Sequence, residues 1–364
     1  MKQKYSIMFV LILVIGLSLS SKAQNLTVPR ISPHAKVLQT LGISNIEIEY
    51  HRPAVRDRKI WGGLVPYGLQ KFSFGSGNPA PWRAGANENT TISFSHDALI
   101  NGKPIPKGKY GFHIIPDTTE WTLIFSRDNS SWGSFFYDPA HDQLRIKVKP
   151  ETATYKEWMQ FYFDDLTPSS AMVYLHWEKL RIGFKAEFNV HKIVIENMKK
   201  ELKGINGFRW ESWNQAAKYA FDNNTGDSLA LELVNKAIEL FGGYNFTNLQ
   251  LKSDIMRKMG LKAEEAENHK LALSVASEAE LNQYGYQLLN EGETKEALRI
   301  FKLNIQRFPD SWNVYDSFAE ALEKQGENEE ALKYLKSALS KAPENQRERL
   351  NSLIIQLKEK MNSE

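Results

Sequence analysis

Along the first half of the chain, from about residue 25 to residue 190, apolar residues alternate with polar ones. Ile46, Ile48 and Tyr50 share one face, with Asn45, Glu47 and Glu49 on the other. Ile92 and Phe94 follow the same period of two, as do Leu144, Ile146 and Val148. The stretches 110–115, 121–125, 158–163, 172–177 and 182–190 are also rich in aromatic and β-branched residues. That period and composition predict strands. Asn101-Gly102, Pro116-Asp117 and Thr167-Pro168 punctuate them as turns. A succession of short strands without an intervening helical period predicts an all-β sandwich, with a barrel as the alternative. Trp158, Met159, Phe161, Tyr162 and Phe163 are apolar on both faces, which predicts a central strand covered on both sides.

Past His191 the period becomes helical. Residues 192–203 form a predicted helix ended by Gly204, and the rest reads as helices of about a dozen residues joined by short turns. Gly292, Ala297, Leu298 and Pro309 recur 34 residues later as Gly326, Ala331, Leu332 and Pro343. Leu288 and Glu296 recur as Leu322 and Glu330. This period resembles that of tetratricopeptide repeats. A small Ala lets two helices approach, Gly permits the turn between them, and Pro ends the second helix. One helix pair cannot bury its apolar face alone, so further pairs are expected upstream. Ala230, Val234 and Ala237 repeat the spacing of Ala331, Leu335 and Ala338, and Gly260 lies 34 residues after Gly226. Ile354, Ile355 and Leu357 are expected on a capping helix.

The N-terminus is of another kind. Lys2 and Lys4 precede an apolar run, 7–19, and Ser21-Lys22-Ala23 places small residues at cleavage positions. That order predicts a secretory signal peptide over residues 1–23; an uncleaved anchor is the alternative, though the run is short for a membrane span. The expected organisation is therefore 1–23 signal, 24–190 β-sandwich, 191–208 linker helix and 209–361 helical repeats. Lys2, Lys4 and Lys22 account for the whole excess of 46 basic over 43 acidic side chains. Without them nothing favours nucleic acid or an anionic membrane surface as a partner. The chain has no cysteine, so disulfides and thiolate metal sites are excluded. No apolar stretch after the signal is long enough to span a bilayer.

Several stretches of the β-region, read in order, resemble a family of secreted bacterial proteins, domain-of-unknown-function family 2911. They are SPHAKVLQTLG from Ser32, EYHRPAVRDRKIWGGLVPYG from Glu49, WRAGANENTTISF from Trp82, IPKGKYGFHIIP from Ile105, EWTLIFS from Glu120, WGSFFYD from Trp132, LRIKVKP from Leu144 and LHWEKLRIGFKAEF from Leu175. The resemblance implies the extent of the first domain and export, and no activity. In the family the PYG element leads almost directly into WR. Here LQKFSFGSGNPAP, residues 69–81, intervenes.

Candidate chemistry gathers around that insertion. In PWRAGANENTT, residues 81–91, Arg83 offers a fork of donors, Trp82 a stacking face, Asn87 an amide and Glu88 an acceptor. Trp82, Arg83, Asn87 and Glu88 could together hold a sugar or a carboxylate. The competing reading, favoured here, is a turn at Gly85 in which Arg83 and Glu88 pair and, with Asn87, brace the following strand. Arg52, Arg56, Arg58 and Lys59 form a basic run that could receive an anion, but such runs are usually solvated. His51, His96, His113 and His176 show no metal-ligand spacing and read as structural, so no metal and no cofactor is expected. No nucleophile elbow or phosphate loop is present. Among the aromatics, Trp121 and Trp177 read as core, whereas the loop residues Trp61, Tyr67 and Trp82 are expected to be exposed. These features predict an exported, non-catalytic scaffold holding a protein or peptide on its helical repeats, with a glycan as a possible ligand of the β-domain. The alternative is a hydrolase sited in the β-domain.

Overall fold

The computed structural model describes residues 28–363; the signal segment and its cleavage position lie outside them. The chain divides into two compact units, Met1–Val190 and His191–Glu364.

The first unit is a pair of antiparallel sheets. Its strands are β1 (His34–Leu41), β2 (Ser44–His51), β3 (Thr91–Phe94), β4 (Ala98–Ile100), β5 (Lys103–Ile105), β6 (Gly108–Ile115), β7 (Trp121–Ser126), β8 (Asp142–Val148), β9 (Glu151–Asp164) and β10 (Ser170–Glu187). One sheet has the order β1-β2-β3-β6-β7-β8, the other β5-β4-β10-β9. The alternation places Ile46, Ile48, Ile92, Phe112, Leu123 and Phe125 inward on the larger sheet, all at most 1% exposed. The rings of the two sheets meet in the core: Tyr50 on Phe161 at 4.8 Å and Phe125 on Phe184 at 5.5 Å. Edge-to-face contacts of this kind add to the area term. This is the predicted sandwich.

Three details differ from the expectation. Strand β9 is an edge strand, not a central one, and Trp158 is 39% exposed. Segments 172–177 and 182–190 are one long strand, β10, kinked where its pairing with β9 slips on either side of Glu178, whose φ is +56°. That strand ends at Glu187, and Val190 already starts a helix. For β9 and β10 the apolar pattern marks a strand, but its place in the sheet is set by pairing with residues distant in sequence.

The second unit consists of α1 (Val190–Glu201), α2 (Trp210–Asp222), α3 (Asp227–Glu239), α4 (Phe246–Lys258), α5 (Lys262–Val275), α6 (Glu278–Asn290), α7 (Thr294–Arg307), α8 (Trp312–Lys324), α9 (Asn328–Lys341) and α10 (Glu344–Ser363). Helices α2 to α9 pack as four antiparallel pairs, with Ala217, Ala230, Ala297 and Ala331 fully buried at their contacts. Gly260, Gly292 and Gly326 turn the chain between the helices of a pair with φ near +80°, in open space, which favours glycine for its backbone alone. Residues 34 apart bond across successive pairs even where the repeat is degenerate: Asn214 Nδ2 donates to Asn248 Oδ1 at 2.7 Å, and Lys258 Nζ to Asn224 Oδ1 at 2.7 Å. On α10, Ile354 and Leu357 are buried while Ile355 is 56% exposed, as a cap with one dry face requires.

Candidate ligand-binding site

The β-unit contains a cavity of about 540 Å³. Three loops build it. The first follows β2. Val55 N donates to Glu157 O, and Met159 N to Pro53 O, so 53–55 is tied to β9 and the residues after it are held over the opening. Arg56 and Arg58 line the cavity from this loop, and Leu64 and Val65 from its continuation. The second loop is the segment 69–81. Gln70 and Ala80 close it as a bridge, with N–H···O distances of 2.9 and 2.8 Å. Phe72 and Phe74 pack on Phe135 at 5.0 and 4.4 Å, and Gly75 lies so close to the Phe135 carbonyl that no side chain fits there. The segment thereby becomes a wall, contributing Gln70, Lys71 and Phe72.

The third loop carries the residues singled out in the sequence. Trp82 is bridged to Ile114 of β6 by two bonds of 2.8 Å, which fixes its ring against Trp177, 6.0 Å away and nearly parallel. Thr90 Oγ1 donates to Ala84 O across the turn, where a side chain at Gly85 would strike Thr90 Oγ1. Arg83 is half-buried, donates Nη1 to Asn87 O at 2.6 Å and lies 5.0 Å over the Phe135 ring. Its guanidinium occupies the place a side chain at Gly133 would take. Asn87 Nδ2 donates to Ser32 O.

Trp82, Arg83 and Asn87 therefore line one cavity, and Glu88 does not. Arg83 and Glu88 are not paired. Glu88 turns to the other side of the loop, where Arg30 Nη1 reaches its two oxygens at 2.7 and 2.8 Å. The Arg30 bond holds the Glu88 carboxyl below its usual range. The residues that brace the strand are Thr90 and Asn89, whose Nδ2 donates to Asp128 O, together with the Arg83–Asn87 bond. The expected Arg83–Glu88 brace is corrected on this geometry: residues five apart across a turn with two left-handed positions, Ala84 and Asn87, leave on opposite sides.

The two basic candidates, distant in sequence, converge. Arg56, Arg58, Lys71 and Arg83 all line the cavity, and among the described residues no carboxylate does. Among the described residues none of the four makes an ion pair within 4 Å; Arg58 donates only to the carbonyls of Ala54 and Val55. Burial pulls the Arg83 guanidinium below its usual value. Ser134 also lines the cavity, with its Oγ 2.9 Å from His113 Nδ1. His113 is 2% exposed; burial first, then the Arg83 charge, pull its imidazole down to about 4, opposed by Asp128.

Of the loop aromatics, Tyr67 is 42% exposed as expected, but Trp61 is 8% exposed and packs among Trp82, Trp121 and Trp177. A second hollow, on the Glu88 side, brings together residues that showed no spacing signal. His34 and His51 face each other in the β1–β2 register, with rings 5.2 Å apart; His34 bonds Glu49 at 2.9 Å and His51 lies 3.3 Å from Glu88. The hairpin turn at Gly42, midway between the two histidines, is the signal that could have paired them. Among the described residues no group of three or more His, Asp or Glu is placed to hold a metal ion, and no helix is long and apolar enough to cross a membrane.

Residues 32–186 match the family described as "Protein of unknown function (DUF2911)". The β-unit is a DUF2911 domain. No curated protein matches the chain. Solved structures of helical-repeat proteins are similar to it. MamA is 21% identical, over 42% of this chain and 88% of its own, with a TM-score of 0.27. YrrB, described as a TPR protein with an unusual peptide-binding site, is 17% identical over 41% and 76%, with a TM-score of 0.25. The C-terminal part of a TPR repeat-containing protein from Cytophaga hutchinsonii is 17% identical over 44% and 66%, with a TM-score of 0.29. The tetratricopeptide-like arrangement that follows the DUF2911 domain is established by this chain's own helix pairs and 34-residue register.

Proposed function

We propose that the protein is an exported, non-catalytic scaffold whose helical repeats hold a protein or peptide partner. The observation that carries this reading is the alignment of equivalent positions on successive first helices of each pair. Tyr286 of α6 donates to Glu320 of α8 at 2.8 Å, 34 residues on, and Asp316 of α8 is paired with Arg349 of α10. The first helices thus lie side by side and present one repeated polar and aromatic face, a surface suited to an extended segment of another chain. Export rests on the order of parts in residues 1–23.

The hydrolase alternative has one observation in its favour, the Ser134–His113 pair at the cavity. Catalysis by that pair needs an imidazole that takes a proton near neutral pH. His113, held down to about 4 and with no carboxylate bonded to it among the described residues, has little driving force for that.

The test is a photo-crosslinking residue placed at Glu320, on the first-helix face, or at Lys302, exposed on a second helix, in cells of the producing organism. Discrete protein adducts from position 320 alone, in the extracytoplasmic fraction, are the expected result. Equal adducts from both positions, or none from 320, sink the scaffold reading. Recovery of the intact Met1 end in the cytosol sinks export.

A further inference from the structure

The cavity of the DUF2911 domain has a chemical bias that identifies its occupant. Its charged lining is wholly cationic: Arg56, Arg58, Lys71 and Arg83. An unpaired guanidinium is unusual in a half-buried position, because desolvation penalises the charge unless an anion or a set of acceptors compensates it. Arg83 has one acceptor, the Asn87 carbonyl, and the face of the Phe135 ring, but no carboxylate among the described residues. Its other donors remain for something that the protein does not supply.

The walls beside it are apolar. Trp82 and Trp177 stack at 6.0 Å, and Leu64, Val65 and Phe72 complete the surface. A volume of about 540 Å³ is in the range of small-molecule sites, roughly 300–1,000 Å³. The backbone of two lining loops is also held out of its ordinary conformations. Of the eight non-glycine residues with positive φ among the described residues, four lie here: Arg56, Asp57, Ala84 and Asn87. Ala84, fully buried with φ +51°, has no side chain that favours this conformation, so the surrounding contacts impose it. That loop is where Arg83 is aimed.

We infer that this cavity binds a small organic acid, a carboxylate joined to an aromatic or branched aliphatic body, with the carboxylate on Arg83 and the body against Trp82 and the Leu64, Val65 and Phe72 wall. The planar fork of a guanidinium matches a carboxylate. Arg56, Arg58 and Lys71, all exposed, draw the anion to the opening without binding it tightly. The same chemistry is carried by a free aryl- or alkyl-carboxylic acid and by the C-terminal residue of a peptide. The site belongs to the β-unit and stands whether or not the helical repeats hold a partner.

The test is calorimetric titration of the full chain, with tryptophan fluorescence as a second readout. The probes are 3-phenylpropionate, N-acetyl-L-phenylalanine, the amides of both, and inorganic phosphate. At least one acid binds one-to-one and perturbs the tryptophan emission, and its amide binds about tenfold or more weaker. Arg83→Gln weakens the acid about tenfold or more and leaves the amide unchanged. The paired rim substitution Arg56→Gln with Lys71→Gln weakens the acid severalfold and flattens its salt dependence; it carries the test if Arg83→Gln melts early. Tighter binding of N-acetyl-L-phenylalanine assigns a peptide terminus, and tighter binding of 3-phenylpropionate a free acid. The inference is overturned if acids and amides bind equally, if phosphate binds as tightly as the acids, if the variants bind as the wild type does, or if no probe binds at about 10 mM, where even weak specific sites fill.

Discussion

His113 and Arg83 share one corner of the β-unit, and each is held there against its own charge chemistry. His113 binds its proton in the native state only near pH 4, whereas the unfolded chain does so near 6.5. The unfolded state therefore takes up a proton first as pH falls, and stability drops from pH 6.5 toward 4, with the contribution intact above about pH 7. At pH 5 the loss from this group is about 2 kcal/mol. Thermal melts of the β-unit transition at pH 7.5 and 5 measure it. His113→Asn, which keeps an acceptor for Ser134 but does not titrate, is expected to flatten the difference. For the turn itself, Glu88→Ala removes an exposed pair with Arg30 and is expected to cost about 0–1 kcal/mol. Arg83→Ala strips the Asn87 bond and the Phe135 contact from a half-buried site and costs about 1–3 kcal/mol. Equal melting temperatures for the two variants would contradict this division of the loop.

At the scale of elements, the two strongest repeats solve one packing problem with different residues. Between α6 and α7, a side chain at Gly285 would lie 2.7 Å from the Phe301 ring. The positions 34 residues on, between α8 and α9, are Ala319 and Leu335, both buried. The small residue and the large one are exchanged against each other so that the helices keep their spacing. Gly285→Ala should therefore destabilise by about 1–3 kcal/mol through overpacking, in spite of alanine's better helix propensity. Adding Phe301→Leu should recover part of that loss, visible as a coupling in a double-mutant cycle of denaturant melts. In the β-unit the loop 69–81 is a comparable device: Gly75 against Phe135 and the Gln70–Ala80 bridge turn a Gly/Pro-rich stretch into a wall.

For the molecule as a whole, the change of period near His191 coincides with the division into Met1–Val190 and His191–Glu364. Between α1 and α2 the chain passes through a short turn, Ile205–Phe208, where Ile205 and Phe208 are 79% and 81% exposed. Limited proteolysis is expected to cut first at 202–209 and to release a β-rich and a helix-rich fragment, distinguishable by circular dichroism. A single resistant core with no cut in that window would contradict it. Mass spectrometry of the fragments locates the cut.

What the sequence determined by itself was whatever depends on neighbours along the chain. Alternation gave the strands of the β-unit, because side chains in a strand face opposite ways in turn. The 34-residue recurrence gave the helix pairs, because each repeats the same local packing. The side-chain chemistry of the stretch 81–91 grouped Trp82, Arg83, Asn87 and Glu88 as residues able to hold a ligand. Only the tertiary structure decided what depends on residues far apart. It left β9 at an edge, buried Trp61, and put His34 opposite His51. It sent Glu88 to one side of the turn and Arg83 to the other, and it brought Arg56, Arg58 and Lys71 to the same cavity as Arg83. The physical reason is that strand order and loop closure are set by hydrogen bonds and burial between distant segments, of which a single sequence carries no periodic trace.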